Sequence, residues 1–238
     1  MAFLPFYIPK HKKLKVVIVG GGYAGIAALT TLLRYAPDTD ITLVDPKEQH
    51  IKITHLHETF RYPLTDLLVP FADIENRYGC RHISASVNFD QDKLQEYQAE
   101  KLLVVDEEVL NFDYLLIASG CESRTMDSIE NVLSLQDFTI SAGSELLTKW
   151  LNKNNQSEQS VSVIGGGATG IQFLFEIKQF LNRIKSKAEL RLIHSGEHVL
   201  EQFPGGFGAY AQSRMHDMDI AFYPSTYYRE QQSGTVLL

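Results

Sequence analysis

The stretch "KLKVVIVGGGYAGIAAL", residues Lys13 to Leu29, places three consecutive glycines directly after an apolar, β-branched run. Such a run over Lys15–Val19 is typical of a strand buried on both faces of a parallel sheet. Beyond the glycines, apolar residues recur at helical spacing, which predicts a helix over 24–35 that Pro37 ends. With a second predicted strand over 40–46, the stretch predicts a strand–helix–strand unit.

The same pattern returns about 145 residues later as "SVSVIGGGATGIQFLFEI", residues 160–177. It predicts a strand over 161–164, a helix over 171–184 and a strand over 188–195. The interval is too long for a solenoid repeat. The predicted fold class is therefore α/β, with two Rossmann-like dinucleotide-binding domains, mostly parallel sheet plus a β-meander, the second of them incomplete.

Between the two units, "PFADIENRYG" predicts a helix closed by Gly79, and "SELLTKWL" predicts another helix. The segments "RHISASVNFD" and "KLLVVDEEVLNFDYLLIASG" alternate like short strands, which predicts a β-meander over about 80–115. We predict one domain over 1–122 and a second over 123–238.

The glycine turns match the spacing GxGxxG, in which each glycine has a separate steric reason. The first permits a tight turn, the second lets a pyrophosphate approach the backbone, and the third lets helix and strand pack closely. Main-chain N–H groups at the helix N-terminus then bind the anion. The first corner (residues 20–25) holds Gly20, Gly22 and Gly25, and the second corner (residues 165–170) holds Gly165, Gly167 and Gly170.

The residue at the end of the second strand distinguishes the two corners. Asp45 stands there in the first unit, where a carboxylate can accept hydrogen bonds from an adenosine ribose. In the second unit the strand ends in His194 and Ser195, with neither a carboxylate nor an arginine at that place. The second corner therefore leaves NADH and NADPH open as ligands.

Composition narrows the class of protein. The net charge of -7 argues against a nucleic-acid partner, because neutralising phosphates needs clustered lysine and arginine. The only cysteines, Cys80 and Cys121, form no CxxC pair and no zinc spacing, as expected of free thiols in a reducing compartment. The uncharged residues 16–33 predict a buried strand turning into a helix rather than a membrane span. We predict a cytoplasmic protein.

The segment "HIKITHLHE" concentrates His50, His55, His57 and Glu58. Its spacing does not match HExxH, so we predict no metal site and interpret the segment as a polar loop. A reactive thiol at Cys121 is an alternative to an inert one, because this residue directly follows the turn "ASG".

The motifs "VVIVGGGYAGIAAL", "ITLVDP", "FDYLLIASG" and "VSVIGGGATGIQF" occur in the order found in two-dinucleotide flavoproteins. The chain resembles the pyridine-nucleotide-disulfide-oxidoreductase fold family, in its non-disulfide branch of type II NADH dehydrogenases and apoptosis-inducing-factor-like oxidoreductases. The resemblance runs from about residue 13 almost to the end. It implies that the first domain binds FAD and that the second binds NADH or NADPH.

The resemblance also implies a set of cofactor-binding residues. For FAD these are the first-corner residues Gly20, Gly22, Tyr23, Ala24 and Gly25, then Asp45 for the ribose, Val87 for the adenine, and the turn Ala118, Ser119 and Gly120 beside the flavin. For the nicotinamide cofactor they are Gly165, Gly167, Thr169, Gly170 and Ser195. Gln172 stands where relatives often carry glutamate. No residue is assigned a catalytic role.

The implied activity is hydride transfer from NAD(P)H to FAD, followed by electron transfer to a small-molecule acceptor such as a quinone. An alternative is a catalytically impaired nucleotide-binding or regulatory protein, favoured by His194 and by the length of the chain. A single-cofactor NAD-dependent dehydrogenase is a weaker third interpretation, because it leaves one corner unexplained.

Relatives continue past this length with a Gly-Asp motif that returns to the FAD domain and with an interface domain. We therefore expect either a fragment or a shortened protein, without the interface domain and without the membrane-binding tail of type II NADH dehydrogenases. An incomplete second sheet would expose an edge that favours a homodimer. No membrane span is expected, and peripheral contact with the inner membrane face stays compatible with the resemblance.

Overall fold

The computed structural model describes residues 13–121, 131–153, 159–232 and 235–237. These residues form two compact units. The first unit contains the described residues up to Lys52 together with those from Leu68 to Cys121, and the second contains 53–67 with the remainder of the chain. The segment 53–67 thus leaves the first unit and belongs to the second, which the sequence did not indicate.

The first unit is built on a parallel sheet. Its elements in chain order are β1 (Lys15–Val19), α1 (Tyr23–Tyr35), β2 (Asp40–Val44), β3 (Gln49–Ile51), β4 (Leu68–Pro70), α2 (Phe71–Tyr78), β5 (Arg81–Ile83), α3 (Gln91–Glu100), β6 (Leu102–Val105), β7 (Glu108–Asn111) and β8 (Tyr114–Ile117). Four of the strands pair in the order β5-β2-β1-β8, all parallel. The predicted strand–helix–strand unit is confirmed.

The core explains why β1 is apolar at every position after Lys15. Val17 and Val19 enter one buried cluster, whereas Val16 and Ile18 enter another that also contains Phe71. Successive strand residues point to opposite faces of a sheet, so both faces of β1 are covered. This strand therefore positions the glycine turn that follows it from within a closed core.

The predicted meander over 80–115 is wrong in its connectivity. Its first and last strands, β5 and β8, belong to the parallel sheet, and only β6 and β7 form an antiparallel pair. Helix α3 lies between β5 and β6. The Asp90 side chain caps the start of this helix by accepting the Lys93 N–H at 2.7 Å. By contrast, the predicted helix closed by Gly79 is confirmed as α2, with Gly79 at φ +68°.

The second unit repeats the strand–helix–strand arrangement. Besides short 3₁₀ helices at Ile53–Phe60 and Leu64–Leu67, its elements are α4 (Leu135–Phe138), α5 (Gly143–Lys153), β9 (Ser160–Ile164), α6 (Ala168–Arg183), β10 (Glu189–Ile193), α7 (Gly205–Asp217), β11 (Ala221–Tyr223), β12 (Glu230–Gln232) and β13 (Thr235–Leu237). Strands β9, β10 and β11 form a parallel sheet in the order β11-β10-β9. The predicted strands and helix of this unit are confirmed.

An aromatic cluster attaches the segment 53–67 to the second unit. The Phe60 ring centroid lies 5.8 Å from that of Phe180 and 6.1 Å from those of Phe138 and Phe173. Nearby, the Gly143 N–H donates to the buried Thr59 hydroxyl at 2.9 Å. Aromatic burial of this kind is a large hydrophobic contribution to the stability of a small unit.

A span across a membrane would need a long and uniformly apolar helix. Within the part of the chain that the structure describes, no helix meets that requirement.

Candidate functional site

The first corner connects β1 to α1 with almost no room for side chains. Gly20 has φ +107°, and a Cβ atom there would lie 2.2 Å from the Ala118 carbonyl oxygen. A Cβ atom on Gly25 would lie 1.8 Å from the Gly20 carbonyl oxygen. The first and third glycines therefore serve the tight turn and the close helix–strand packing that the motif predicts.

The second glycine of the motif faces open space. Gly22 is the N-cap of α1, no side chain caps the helix there, and a Cβ atom on Gly22 would meet no atom within 4 Å. The first hydrogen bond of the helix runs from the Ile26 N–H to the Gly22 carbonyl at 3.0 Å. The N–H groups of the first helical turn therefore face a cradle that suits a pyrophosphate.

Two side chains hold the two peptide groups that flank the Cα atom of Gly21. The Gly21 N–H donates to Asp45 Oδ2 at 2.6 Å, and its carbonyl accepts from His50 Nδ1 at 2.9 Å. Because a carbonyl can only accept, the Nδ1 atom carries the hydrogen. The Phe71 ring closes the third side, since a Cβ atom on Gly21 would lie 2.1 Å from it.

Asp45 makes hydrogen bonds within the protein that the sequence does not indicate. It follows β2, and its second carboxylate oxygen accepts the Lys47 N–H at 2.8 Å. Both oxygens thus receive main-chain donors, and each keeps a lone pair for a further donor such as a ribose hydroxyl. The carboxylate therefore fixes the turn and stays able to bind a ligand.

The other residues assigned to FAD lie in two places of the first unit. The turn Ala118, Ser119 and Gly120 follows β8, and the Ala118 N–H donates to the Val19 carbonyl at 2.7 Å, which brings the turn next to the first corner. Val87 was predicted within a strand. It lies instead in an irregular segment between β5 and α3, and its side chain packs against the core cluster of Val17 and Val44.

The second corner has the same backbone geometry as the first. Gly165 has φ +106°, and a Cβ atom on Gly170 would lie 1.9 Å from the Gly165 carbonyl oxygen. Gly167 is the N-cap of α6, and the nearest atom to a Cβ there would be Gln202 Nε2 at 3.8 Å. Thr169 is an exposed residue of the first turn of α6. This corner also offers an open cradle.

His194 occupies in the second corner the place of Asp45 in the first. The Gly166 N–H donates to His194 Nδ1 at 3.1 Å, and the Gly166 carbonyl accepts from the Leu200 N–H at 2.9 Å. Since Nδ1 accepts here, the imidazole is neutral and carries its hydrogen on Nε2. Ser195 is the exposed residue that follows. The side chain after the second strand thus holds the N–H of the middle glycine in both corners, a contact that we call the clamp, but in the second corner it carries no negative charge.

The histidines of segment 53–67 lie in the second unit. The His57 ring lies 6.4 Å from those of His55 and Phe173. Burial lowers the pKa of His57, and the neighbouring Glu58 and Glu176 act in the opposite direction. Among the described residues, no group of three metal-ligating side chains is placed to hold an ion.

Comparison with protein families gives a match over nearly the whole chain. The family described as pyridine nucleotide-disulphide oxidoreductase matches residues 14–236. The type II NADH:quinone oxidoreductase of Staphylococcus epidermidis is 28% identical over 232 residues, covering 87% of this chain and 56% of the relative. That of Staphylococcus aureus is 24% identical over 230 residues with the same coverage. The chain spans about half the length of these curated relatives.

Solved structures show the same fold. NDH2 from Plasmodium falciparum in complex with NADH has a TM-score of 0.71 at 19% identity, covering 93% of this chain and 50% of that one. The sulfide:quinone oxidoreductase from Aquifex aeolicus has a TM-score of 0.70 at 19% identity, covering 94% and 53%. These similarities confirm the predicted α/β fold class.

Proposed function

The chain belongs to the pyridine nucleotide-disulphide oxidoreductase family, as the sequence resemblance predicted, and we propose that it holds FAD in its first corner and NADH or NADPH in its second. The observation that carries this proposal is the repetition of one geometry. In each corner a tight glycine turn precedes a helix whose N-cap glycine faces open space. Two such cradles suit two dinucleotides and leave a single-cofactor dehydrogenase without support.

In the first unit, the chain would bind FAD with main-chain and side-chain groups together. The N–H groups of Tyr23, Ala24 and Gly25 would meet the pyrophosphate, and Asp45 would accept from the ribose. The turn 118–120 lies beside Gly20, at the carboxyl end of β8. Ligands of open α/β sheets bind at that end of the strands, which supports placing the flavin portion there.

In the second unit, Gly165, Gly167, Thr169 and Gly170 would hold the pyrophosphate of the nicotinamide cofactor, with Ser195 near its ribose. The exposed Gln202 lies beside the Gly167 cradle and can donate through its amide. A bound flavin would supply the redox chemistry, which is hydride transfer from NAD(P)H followed by electron transfer to an acceptor. The names of the curated relatives support a quinone as that acceptor. A lipid-soluble acceptor in turn favours peripheral contact with the cytoplasmic face of a membrane.

A second candidate is a nucleotide-binding protein that does not turn over. The replacement of the strand-end carboxylate by His194 favours it, because the second corner then lacks the usual ribose acceptor. A homodimer would be compatible with either candidate.

The purified protein tests the proposal directly. We expect a yellow protein with flavin absorption, and we expect NADH or NADPH to bleach that absorption under anaerobic conditions. A colourless protein that gains no flavin absorption on incubation with FAD would contradict the assignment of the first corner. A yellow protein that neither nucleotide bleaches would support the second candidate.

A further inference from the structure

The loop that follows β10, residues 194–203, brings a carboxylate back to the end of the strand. A Cβ atom on Gly196 would lie 2.6 Å from Glu201 Oε1 and 3.0 Å from His194 Nε2. The His198 N–H donates to the same Glu201 oxygen at 3.4 Å. Glu201 and His194 therefore converge on one point, two residues beyond the place where the motif expects an acidic residue.

The main chain holds this arrangement from the other side. The His194 N–H donates to the Tyr223 carbonyl at 3.0 Å, and the His194 carbonyl accepts from the Thr226 N–H at 2.9 Å. The Gly196 carbonyl accepts from the Ser225 N–H at 2.9 Å. The point where Glu201 and His194 meet is thus part of a hydrogen-bonded frame rather than of a free loop.

The loop and the segment that frames it carry only acidic side chains as charged groups. Residues 194–203 contain Glu197 and Glu201 but no lysine or arginine. The segment 221–226 that frames them contains no charged residue. His194 is neutral, since its Nδ1 atom accepts the Gly166 N–H. A 2′-phosphate needs a cation nearby, whereas a ribose 2′-hydroxyl needs an acceptor.

We propose that Glu201 supplies the carboxylate that the end of β10 lacks, and that it makes the second corner selective for NADH over NADPH. This inference rests on the proposed function of the second corner. Glu201 is a specificity-determining residue: it accepts from the ribose hydroxyl of NADH and repels the additional phosphate of NADPH.

Calorimetric titration of the FAD-loaded protein with NAD⁺ and with NADP⁺ tests the proposal without turnover, because these oxidised forms carry the same ribose groups and cannot reduce the flavin. We expect NAD⁺ to bind at least about 10-fold more tightly, as like-charge repulsion at a binding site predicts. In Glu201→Gln the preference should fall to about 3-fold or less, chiefly through tighter NADP⁺ binding. Because the repulsion is electrostatic, added salt should also reduce the preference in the unaltered protein.

Glu197→Gln is the matched control, since it removes the same charge from another exposed position of the same loop. We expect it to keep the preference within about 2-fold of the unaltered protein, as for a screened surface charge. Equal binding of the two nucleotides, or an unchanged preference in Glu201→Gln, would overturn the inference alone. Binding of neither nucleotide would overturn the inference together with the proposed NAD(P)H site.

Discussion

The Nδ1 atom of His50 lies 2.9 Å from the carbonyl oxygen of Gly21, although 29 residues separate them. His50 is buried, and its ring is nearly perpendicular to that of Tyr23, with 4.9 Å between the ring centroids. The imidazole thus holds the Gly21–Gly22 peptide group through its carbonyl, whereas Asp45 holds the preceding peptide group through the Gly21 N–H. It orients the peptide immediately before the Gly22 cradle.

His50→Leu should weaken FAD binding about 10-fold and destabilise the first unit by about 1–3 kcal/mol, because the Gly21 carbonyl loses its donor inside the protein. His50→Asn keeps a donor near the Nδ1 position and should recover most of the affinity. Fluorescence titration with FAD and chemical unfolding measure the two effects. His55→Leu serves as an exposed control. FAD affinity in His50→Leu equal to that of the control would refute a positioning role.

Gly22→Val should abolish FAD retention and leave the fold intact. The new side chain would meet no atom of the protein within 4 Å, and φ of -73° is accessible to valine, so only the cradle is filled. Flavin absorption of the purified variant, together with its circular dichroism, checks both halves of the statement. Normal flavin content would show that the pyrophosphate lies elsewhere.

Gly25→Ala should destabilise the fold, whereas Gly22→Val should leave it intact. Its Cβ atom would lie 1.8 Å from the Gly20 carbonyl oxygen, so α1 must move away from β1. We expect a loss of stability of about 1–3 kcal/mol, as for an overpacked core. Thermal unfolding of the protein without FAD measures it. A melting temperature equal to that of Gly22→Val would contradict the close packing.

Asp45→Ala should cost more than the loss of a ribose contact. It leaves the N–H groups of Gly21 and Lys47 without their acceptor, and hydrogen bonds to a charged group contribute about 1.5–3 kcal/mol each. Asp45→Asn keeps one acceptor oxygen and should retain more stability while still weakening FAD binding. Comparing unfolding midpoints with FAD affinities separates the two roles. Equal stability of the two variants would argue against the clamp.

Phe60→Ala should destabilise the second unit by about 3–5 kcal/mol, the usual cost of truncating a buried aromatic residue. Phe60 is 2% exposed, whereas Phe207 on α7 is 58% exposed. Phe207→Ala is therefore the matched control, with an expected change within about 0.5 kcal/mol. Denaturant unfolding distinguishes them, and similar midpoints would show that segment 53–67 does not stabilise this unit.

Acid should destabilise the second unit through His57. Burial lowers the pKa of His57 below its ordinary value of 6.5, so the unfolded chain binds the proton more readily than the folded one. The contribution of this residue to stability is therefore complete above about pH 6.5 and declines as the pH falls towards the lowered pKa. His57→Gln should flatten this part of the stability–pH curve, while the exposed His216→Gln should not. Identical curves for both variants would contradict the assignment.

Local patterns in the chain were sufficient to identify both corners, the strands β1, β2, β9 and β10, and the family. At Gly25 and Gly170 the steric requirement comes from the carbonyl of the first glycine of the same corner, which is close in sequence, so the motif alone predicts it. The meander predicted over about 80–115 was wrong because residues 91–100, which lie between the two alternating segments, form a helix. No alternation of apolar residues marks those ten positions, and the Asp90 cap and the packing of Tyr97 hold the helix there.

The convergence of side chains was decided by tertiary structure alone. Glu201 approaches Gly196 because its loop folds back, and Thr59 bonds to Gly143 across 84 residues of sequence. Such contacts leave no periodic pattern in the sequence. They depend on which surfaces each unit buries rather than on the spacing of residues along the chain. Local sterics therefore determined where two dinucleotide cradles form, and long-range packing determined which side chains stand around them.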